Sequence, residues 1–510
     1  MLIRRLASAL VPVAALAALP AAAEWREASS DHFIIYADSG ERWIRSFAEK
    51  LERFDSAMRV SRALPAADAP RSNRLVIYVL PDLAAMERLS GSSSVAGFYI
   101  ARAGNSVAFT SRPPETNSEL ALRADTILYH EYSHHFLLTN AAAAFPRWFS
   151  EGYAEFNGNT VVNADGSVGL GRVAMSRAYG LLQLRKLPIE QLLDPPAKPM
   201  GPETIEVFYG RSWLLVHYLT FAKAREGQLT AYLSAINAGK PNLEAARAAF
   251  GDLRALDKEL DRYISARMNY AVLPAARLTV GPIEVRSLTT GEAAMMPVRM
   301  RSDRGVDDKA AEALVPEARR RAAPFASDAG AQTVLAEAEY DAGNLAEAEA
   351  AADRALAADP GRREAMLYKA RVLVRRARAE KTRDAKRWSA ARDWIVKANR
   401  IDPDAAEPLM LFYTSYLAEG ATPRPSAVAG LRRAFELSPH DSGLRLLHAR
   451  QLLIDGKAED ARRVLLPLAN NPHSRGDDNL SRRLVALIEA GNASEALAAA
   501  PTDFGPTRTP

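Results

Sequence analysis

Short runs of β-branched and aromatic residues alternate with helical periodicity along the first half of the chain. His32-Phe33-Ile34-Ile35-Tyr36 and Arg74-Leu75-Val76-Ile77-Tyr78-Val79 have the composition of strands, and apolar positions recur near every 3.6 residues from about Arg42 to Arg62 between them. The opening order is therefore strand, helix, strand. A hairpin is expected next, with Gly97-Phe98-Tyr99-Ile100 and Ser106-Val107-Ala108-Phe109-Thr110 joined across Ala103-Gly104-Asn105, where Gly and Asn tolerate positive φ. A helix follows, capped by Asn117 or Ser118, with Glu119 in its first turn and Leu120, Leu122, Ile127, Leu128, Phe136 and Leu137 along it. It should end near Asn140, before Phe145-Pro146. Residues 24–271 thus read as one α+β domain.

From 272 to 306 the pattern turns β-like, with Leu278-Thr279-Val280, Ile283-Glu284-Val285 and an apolar stretch to Val298, and is expected to form a β-containing connector. Residues 307–473 are helical and repetitive. Ala358-Asp359-Pro360, Ile401-Asp402-Pro403, Leu437-Ser438-Pro439 and Asn470-Asn471-Pro472 close successive units, their prolines 43, 36 and 33 residues apart. Within units, Ala342-Gly343-Asn344 and Asp455-Gly456-Lys457 divide two helices, and an insertion is expected around Lys381 to Lys386. This segment resembles tetratricopeptide repeats, which implies an all-α solenoid and a protein partner bound through it. Residues 474–510 read as a helical cap with a mobile Pro/Thr-rich tail.

Composition narrows the class of protein. Among 510 residues, 48% apolar and 25% charged content is ordinary for folded soluble protein. Met1-Leu2-Ile3-Arg4-Arg5, an apolar run to Pro20 and Ala21-Ala22-Ala23 together read as a secretory signal over 1–23, so the mature protein is expected in the periplasm or outside the cell. No later run suits a membrane span. The net charge of +5 includes Arg4 and Arg5; without them it is +3, and no basic stripe interleaved with aromatics suggests nucleic acid. The absence of cysteine excludes disulfides and thiolate metal sites, so any metal must be held by His and carboxylates.

His130-Glu131-Tyr132-Ser133-His134 supplies that chemistry. On a helix, His130 and His134 lie about 40° apart and one turn along, so both imidazoles can meet one cation. Glu131 is beside them, placed to take a proton from a water at the open metal position. The next segment, Trp148-Phe149-Ser150-Glu151-Gly152-Tyr153-Ala154-Glu155, leaves 16 residues between His134 and Glu151, enough for a loop and a second helix. Glu151 and Glu155 form an i, i+4 pair. Glu151 is assigned as the third metal ligand and Glu155 as the acceptor of a hydrogen bond from a ligand imidazole. His135 points about 100° away from His134 and is expected to pack or meet solvent. His217 sits on an apolar helix, as a core histidine or as a partner to the site.

Together the two segments resemble the gluzincin zinc peptidases, whose aminopeptidase-N-like members carry His-Glu-x-x-His followed by Trp-x-x-Glu-Gly-[Phe/Tyr]-Ala; Trp148, Glu151, Gly152, Tyr153 and Ala154 match in order. Secreted peptidase-MA-like proteins are similar. The resemblance covers residues 24–271 and implies a zincin-like domain, a Zn²⁺ cofactor and a peptide or protein substrate. Tyr209-Gly210-Arg211-Ser212-Trp213 is similar to the segment that supplies a transition-state tyrosine in those enzymes, which makes Tyr209 its counterpart. The Gly-x-Met-Glu-Asn segment that reads a free amino terminus is missing, so endopeptidase action is expected, with the Gly97–Thr110 hairpin offering an edge strand to an extended peptide. The rival expectation is a non-catalytic interaction protein with a vestigial or structural zinc module.

Overall fold

The computed structural model describes residues 24–65, 73–93, 95–112, 124–140, 143–196, 200–470 and 479–501. The leader at 1–23, the capping residues Asn117 and Ser118, Glu119, Leu120, Leu122, Ser474 and the tail 502–510 lie outside them. No helix among the described residues is long and apolar enough to cross a membrane.

The first strands are β1 (Trp25–Ser29) and β2 (Phe33–Asp38), followed by helix α1 (Glu41–Ser61), β3 (Leu75–Leu80), α2 (Leu83–Ser90), β4 (Gly97–Ile100) and β5 (Val107–Ser111). They form a six-stranded sheet of order β4-β5-β3-β2-β1-β9, in which β9 is Glu284–Ser287. β2, β3 and β5 run parallel, while β4, β1 and β9 are antiparallel to their neighbours. Side chains alternate across the pleat. Phe33, Ile35, Leu75, Ile77 and Ala108 face a core shared with Ile44, Leu51 and Phe54 of α1. Tyr36, Val76, Tyr78 and Phe109 face the other way, toward Met86 and Leu89 of α2. Burial on both faces explains why these strands are nearly continuous apolar runs.

Helix α3 (Ala124–Asn140) lays Leu128, Tyr129, Tyr132 and Phe136 into the α1 side of the core. Behind it come α4 (Arg147–Gly158), β6 (Val161–Val162), β7 (Val168–Leu170), α5 (Ala178–Leu182), α6 (Ile189–Leu193), α7 (Pro202–Phe221), α8 (Gln228–Asn237), α9 (Asn242–Phe250), α10 (Leu253–Tyr263) and β8 (Ala271–Leu273). β8 completes a small β6-β7-β8 sheet.

Residues 272–306 contain the strand expected at Ile283-Glu284-Val285, as β9, and differ from the expected connector elsewhere. Leu278-Thr279-Val280 forms no strand, β9 joins the main sheet by pairing Val285 with Ala28, and the apolar stretch to Val298 is helix α11 (Thr290–Arg304). The local reason is a capping box. Thr289 accepts from the Glu292 N–H at 3.0 Å and Glu292 accepts from the Thr289 N–H at 3.0 Å, which starts a helix despite Pro297 inside it.

The helical array continues with α12 (Asp308–Ala322) and then pairs α13 (Ala329–Asp341) with α14 (Leu345–Ala358), α15 (Arg363–Ala379) with α16 (Ala385–Ile401), α17 (Ala406–Glu419) with α18 (Pro425–Leu437), and α19 (Ser442–Ile454) with α20 (Ala458–Ala469). A shorter pair, α21 (Leu480–Glu489) and α22 (Ala493–Ala499), ends it. Each hairpin turns through one left-handed residue: Gly343, Lys381, Gly420, Gly456 and Gly491. At the expected insertion, α15 and α16 are simply longer, and Lys381 at φ 48° occupies the place glycine holds elsewhere. Paired helices with recurring turns make this a helical-repeat solenoid.

Candidate metal centre

Helix α4 is buried along its whole length from Trp148 to Gly158, held between α3 and α7. Glycine permits both approaches. A Cβ on Gly152 would stand 2.4 Å from the Ser212 carbonyl oxygen of α7, and one on Gly158 would stand 3.1 Å from the Thr126 oxygen of α3. Trp148 anchors the start of α4 by donating from Nε1 to the Tyr232 hydroxyl at 3.1 Å. On α3, Tyr132 donates to Oδ1 of Asp55 at 2.7 Å and so fixes the rotation of the motif helix against α1.

This packing brings His130, His134 and Glu151 together. His130 Nε2 and His134 Nε2 are 3.2 Å apart, and Oε2 of Glu151 lies 3.5 Å from the first and 3.6 Å from the second. Bonds of about 2.0–2.1 Å to a tetrahedral zinc separate neighbouring donors by about 3.4 Å, so the three atoms match one face of such a tetrahedron. Two imidazoles and a carboxylate also suit zinc chemically. Within the described residues, these three form the sole grouping of His, Cys, Asp and Glu donors close enough to share an ion.

Glu155, one turn along α4, sits 3.2 Å from Nδ1 of His130 through Oε1. Its other partner is Arg177, which donates from Nη2 to Oε1 at 2.8 Å and from Nε to Oε2 at 3.1 Å, while Nη1 reaches Oε2 of Glu206 at 2.7 Å. Burial alone would raise the Glu155 carboxyl, but the hydrogen bonds and positive charge of His130 and Arg177 outweigh it and hold the group at about 2. Burial likewise lowers the His130 imidazole, but Glu151 and Glu155 overcome it and bring the group to about 10 in the metal-free protein. Ser150 Oγ lies 3.3 Å from Nδ1 of His134, so each of the two imidazoles has a polar partner at Nδ1.

Tyr209 of α7 stands at the same site. Its ring centroid is 6.1 Å from that of His130, and the Arg177 guanidinium lies over its ring at 5.1 Å. Burial, followed by the charges of Glu151 and Glu155, pushes its phenol up, so it is a hydrogen-bond donor at neutral pH. Glu131 is half-buried on α3, directly after His130 in the chain and about 100° round the helix from it.

Two further histidines, His217 and His135, have partners of their own away from the donor triangle. His217 is fully buried, with Nδ1 2.8 Å from the Tyr263 hydroxyl and Nε2 3.0 Å from the Gly171 carbonyl, and burial lowers it to about 4; it is a core histidine and not a partner of the metal centre. His135 packs, with Nδ1 2.8 Å from the Tyr99 hydroxyl. Ser150, Arg177 and Glu206 are site residues the sequence did not reveal. Ser150 lies inside the Trp148–Glu155 segment, whereas Arg177 enters from a 3-10 turn, Met175–Arg177, beyond the β6–β7 hairpin. A cavity of about 1430 Å³ between the second face of the sheet and the array includes none of the three donor residues in its lining.

No family model matches the chain, and no curated protein matches it. Among solved structures, a thermophilic TPR protein of Thermus thermophilus aligns with 39% of this chain and 100% of its own, at 18% identity and a TM-score of 0.32. The repeat architecture of α13 to α22 rests on the helix order and recurring turns themselves.

Proposed function

We propose that this chain is a zinc-dependent peptidase of the gluzincin type, acting after export on extended polypeptide. The observation that carries the proposal is the mutual spacing of His130 Nε2, His134 Nε2 and Glu151 Oε2 at 3.2, 3.5 and 3.6 Å. Zinc held there would act as a Lewis acid on a peptide carbonyl and on water. Glu131, between the ligand histidines in the chain, takes the proton from the attacking water and passes it to the leaving amine. Tyr209 donates from its phenol to the oxyanion of the tetrahedral intermediate. Glu155, itself held by Arg177, would fix the His130 ring with Nε2 turned toward His134 and Glu151, where a metal would bind. β4, the outer strand of the sheet beside α3, supports pairing with a substrate backbone.

The paired helices of α13 to α22 favour a second reading. Solenoids present extended surfaces to protein partners, so the chain would serve as an interaction protein in which the metal centre only stabilises the fold. Metal analysis of the purified protein beside cleavage of casein, with and without a chelator, separates the two. The peptidase reading expects one zinc per chain and chelator-sensitive cleavage. Zinc without cleavage favours the interaction role, and absence of zinc removes the peptidase reading.

A further inference from the structure

The tip of the β4–β5 hairpin does not end in solvent. Ala103 is 3% exposed and belongs to the apolar cluster of Tyr413, Leu444 and Leu447 in the array. Its N–H donates to Oδ2 of Asp441 at 2.8 Å, while Oδ1 of the same carboxylate caps α19 by accepting from the Leu444 N–H at 2.6 Å. One side chain therefore starts a repeat helix and grips the hairpin. Gly104 lies against Glu407 so closely that a Cβ would stand 2.7 Å from the carboxylate, and Asn105 closes the tip at φ 78°.

The residue before Asp441 reaches the motif helix. The ring of His440 packs edge-on against that of His135, centroids 4.8 Å apart, and its Nδ1 is 3.3 Å from the Thr139 hydroxyl. His135 in turn meets the hydroxyl of Tyr99 on β4, which also lies 3.2 Å from Ser106 Oγ. The same turn is pinned from below, where Asn73 Nδ2 donates to the Leu437 carbonyl at 2.8 Å. A single turn of the array, Leu437–Asp441, thus touches α3 directly, the hairpin tip directly, and β4 through the His135–Tyr99 pair. On the other side β4 packs on α3 so tightly that a Cβ on Gly97 would stand 2.9 Å from Ile127.

We propose that Asp441 and His440 are positioning residues of the substrate groove. By clamping the hairpin tip and the back of α3 together, they hold β4 at a fixed height and register beside the metal centre, so that an unfolded polypeptide paired to β4 through its main chain is presented to Glu131 and the ligands. The array is then a built-in wall of the groove and not only a recruiting arm. The role given to β4 rests on the peptidase reading; the clamp does not.

The test uses the full-length protein and three variants, Asp441→Ala, Asp441→Asn and His440→Ala, the last of which leaves the α19 cap intact. Hydrogen exchange is read at Gly97–Ile100 and Val107–Ser111, together with zinc per chain and the kinetics of casein cleavage. Asp441→Ala and His440→Ala should each speed exchange of those amides about tenfold or more with zinc content unchanged. KM for casein should rise about tenfold with kcat within about twofold, and Asp441→Asn, which retains one acceptor oxygen, should recover part of both effects. Faster exchange confined to α19 would overturn the clamp, since Asp441 would then be a helix cap alone. Faster exchange at β4 with KM unchanged would overturn the role in substrate positioning. A wild-type protein that cleaves nothing would count against the peptidase reading, and the exchange data would still decide the clamp.

Discussion

Oε1 of Glu155 lies 3.2 Å from Nδ1 of His130, while Nε2 on the far side of the same ring is 3.5 Å from Oε2 of Glu151. The imidazole is therefore held at both ends by carboxylates one helical turn apart on α4. Only the inner one joins the donor triangle. Replacing Glu155 by Gln keeps the shape but removes the charge that fixes the ring tautomer. Zinc affinity should fall about 10–100-fold, measured by competition with a chromophoric chelator, while circular dichroism stays unchanged. Arg177→Met should act in the same direction by leaving Glu155 buried with one partner fewer. Unaltered affinity in both variants would show that the His130 ring needs no such support.

Gly152 carries the second prediction. With 2.4 Å between its hypothetical Cβ and the Ser212 carbonyl, Gly152→Ala must push α4 away from α7, and Glu151 moves with it. The expected cost is about 1–3 kcal/mol of unfolding free energy, measured by urea titration and accompanied by weaker zinc binding. A variant with full stability and full zinc affinity would mean that the α4–α7 contact has room to relax.

Acid should loosen the fold through buried neutral histidines. Burial lowers both His217 and His440 from 6.5 to about 4. Between those values the unfolded chain binds more protons than the folded one, so stability is full above pH 6.5 and is lost as pH falls toward 4. Each group contributes up to about 1.4 kcal/mol per pH unit across that window. Unfolding midpoints from pH 7.5 to 4.5 should decline accordingly, and His440→Phe should flatten part of the slope. A midpoint that stays level or rises on acidification would contradict the buried neutral state.

Much of the site is written locally. His130, Glu131 and His134 share one helix, and Glu151 with Glu155 shares the next, so spacing alone puts each pair on a common face. The strands β2, β3 and β5 are legible because burial on both sides made them continuous apolar runs. β1 is not, since Trp25-Arg26-Glu27-Ala28-Ser29 is mixed in polarity and becomes a strand only by pairing with β2 and β9. The helix α11 carries a short apolar stretch whose period fits strand or helix, and the Thr289/Glu292 box decides it. Arg177 and the grip of Asp441 on Ala103, 338 residues away in sequence, are tertiary facts without a local signature.

The most direct measurement compares wild type with Glu131→Gln at equal zinc content, using cleavage of casein as the readout. A zinc peptidase with Glu131 as its proton carrier predicts one zinc per chain in both proteins, cleavage by the wild type and a loss of at least about 10²–10⁴-fold in the variant. Equal cleavage by the two zinc-loaded proteins would contradict that role, and zinc-loaded wild type that leaves casein intact would contradict the peptidase itself.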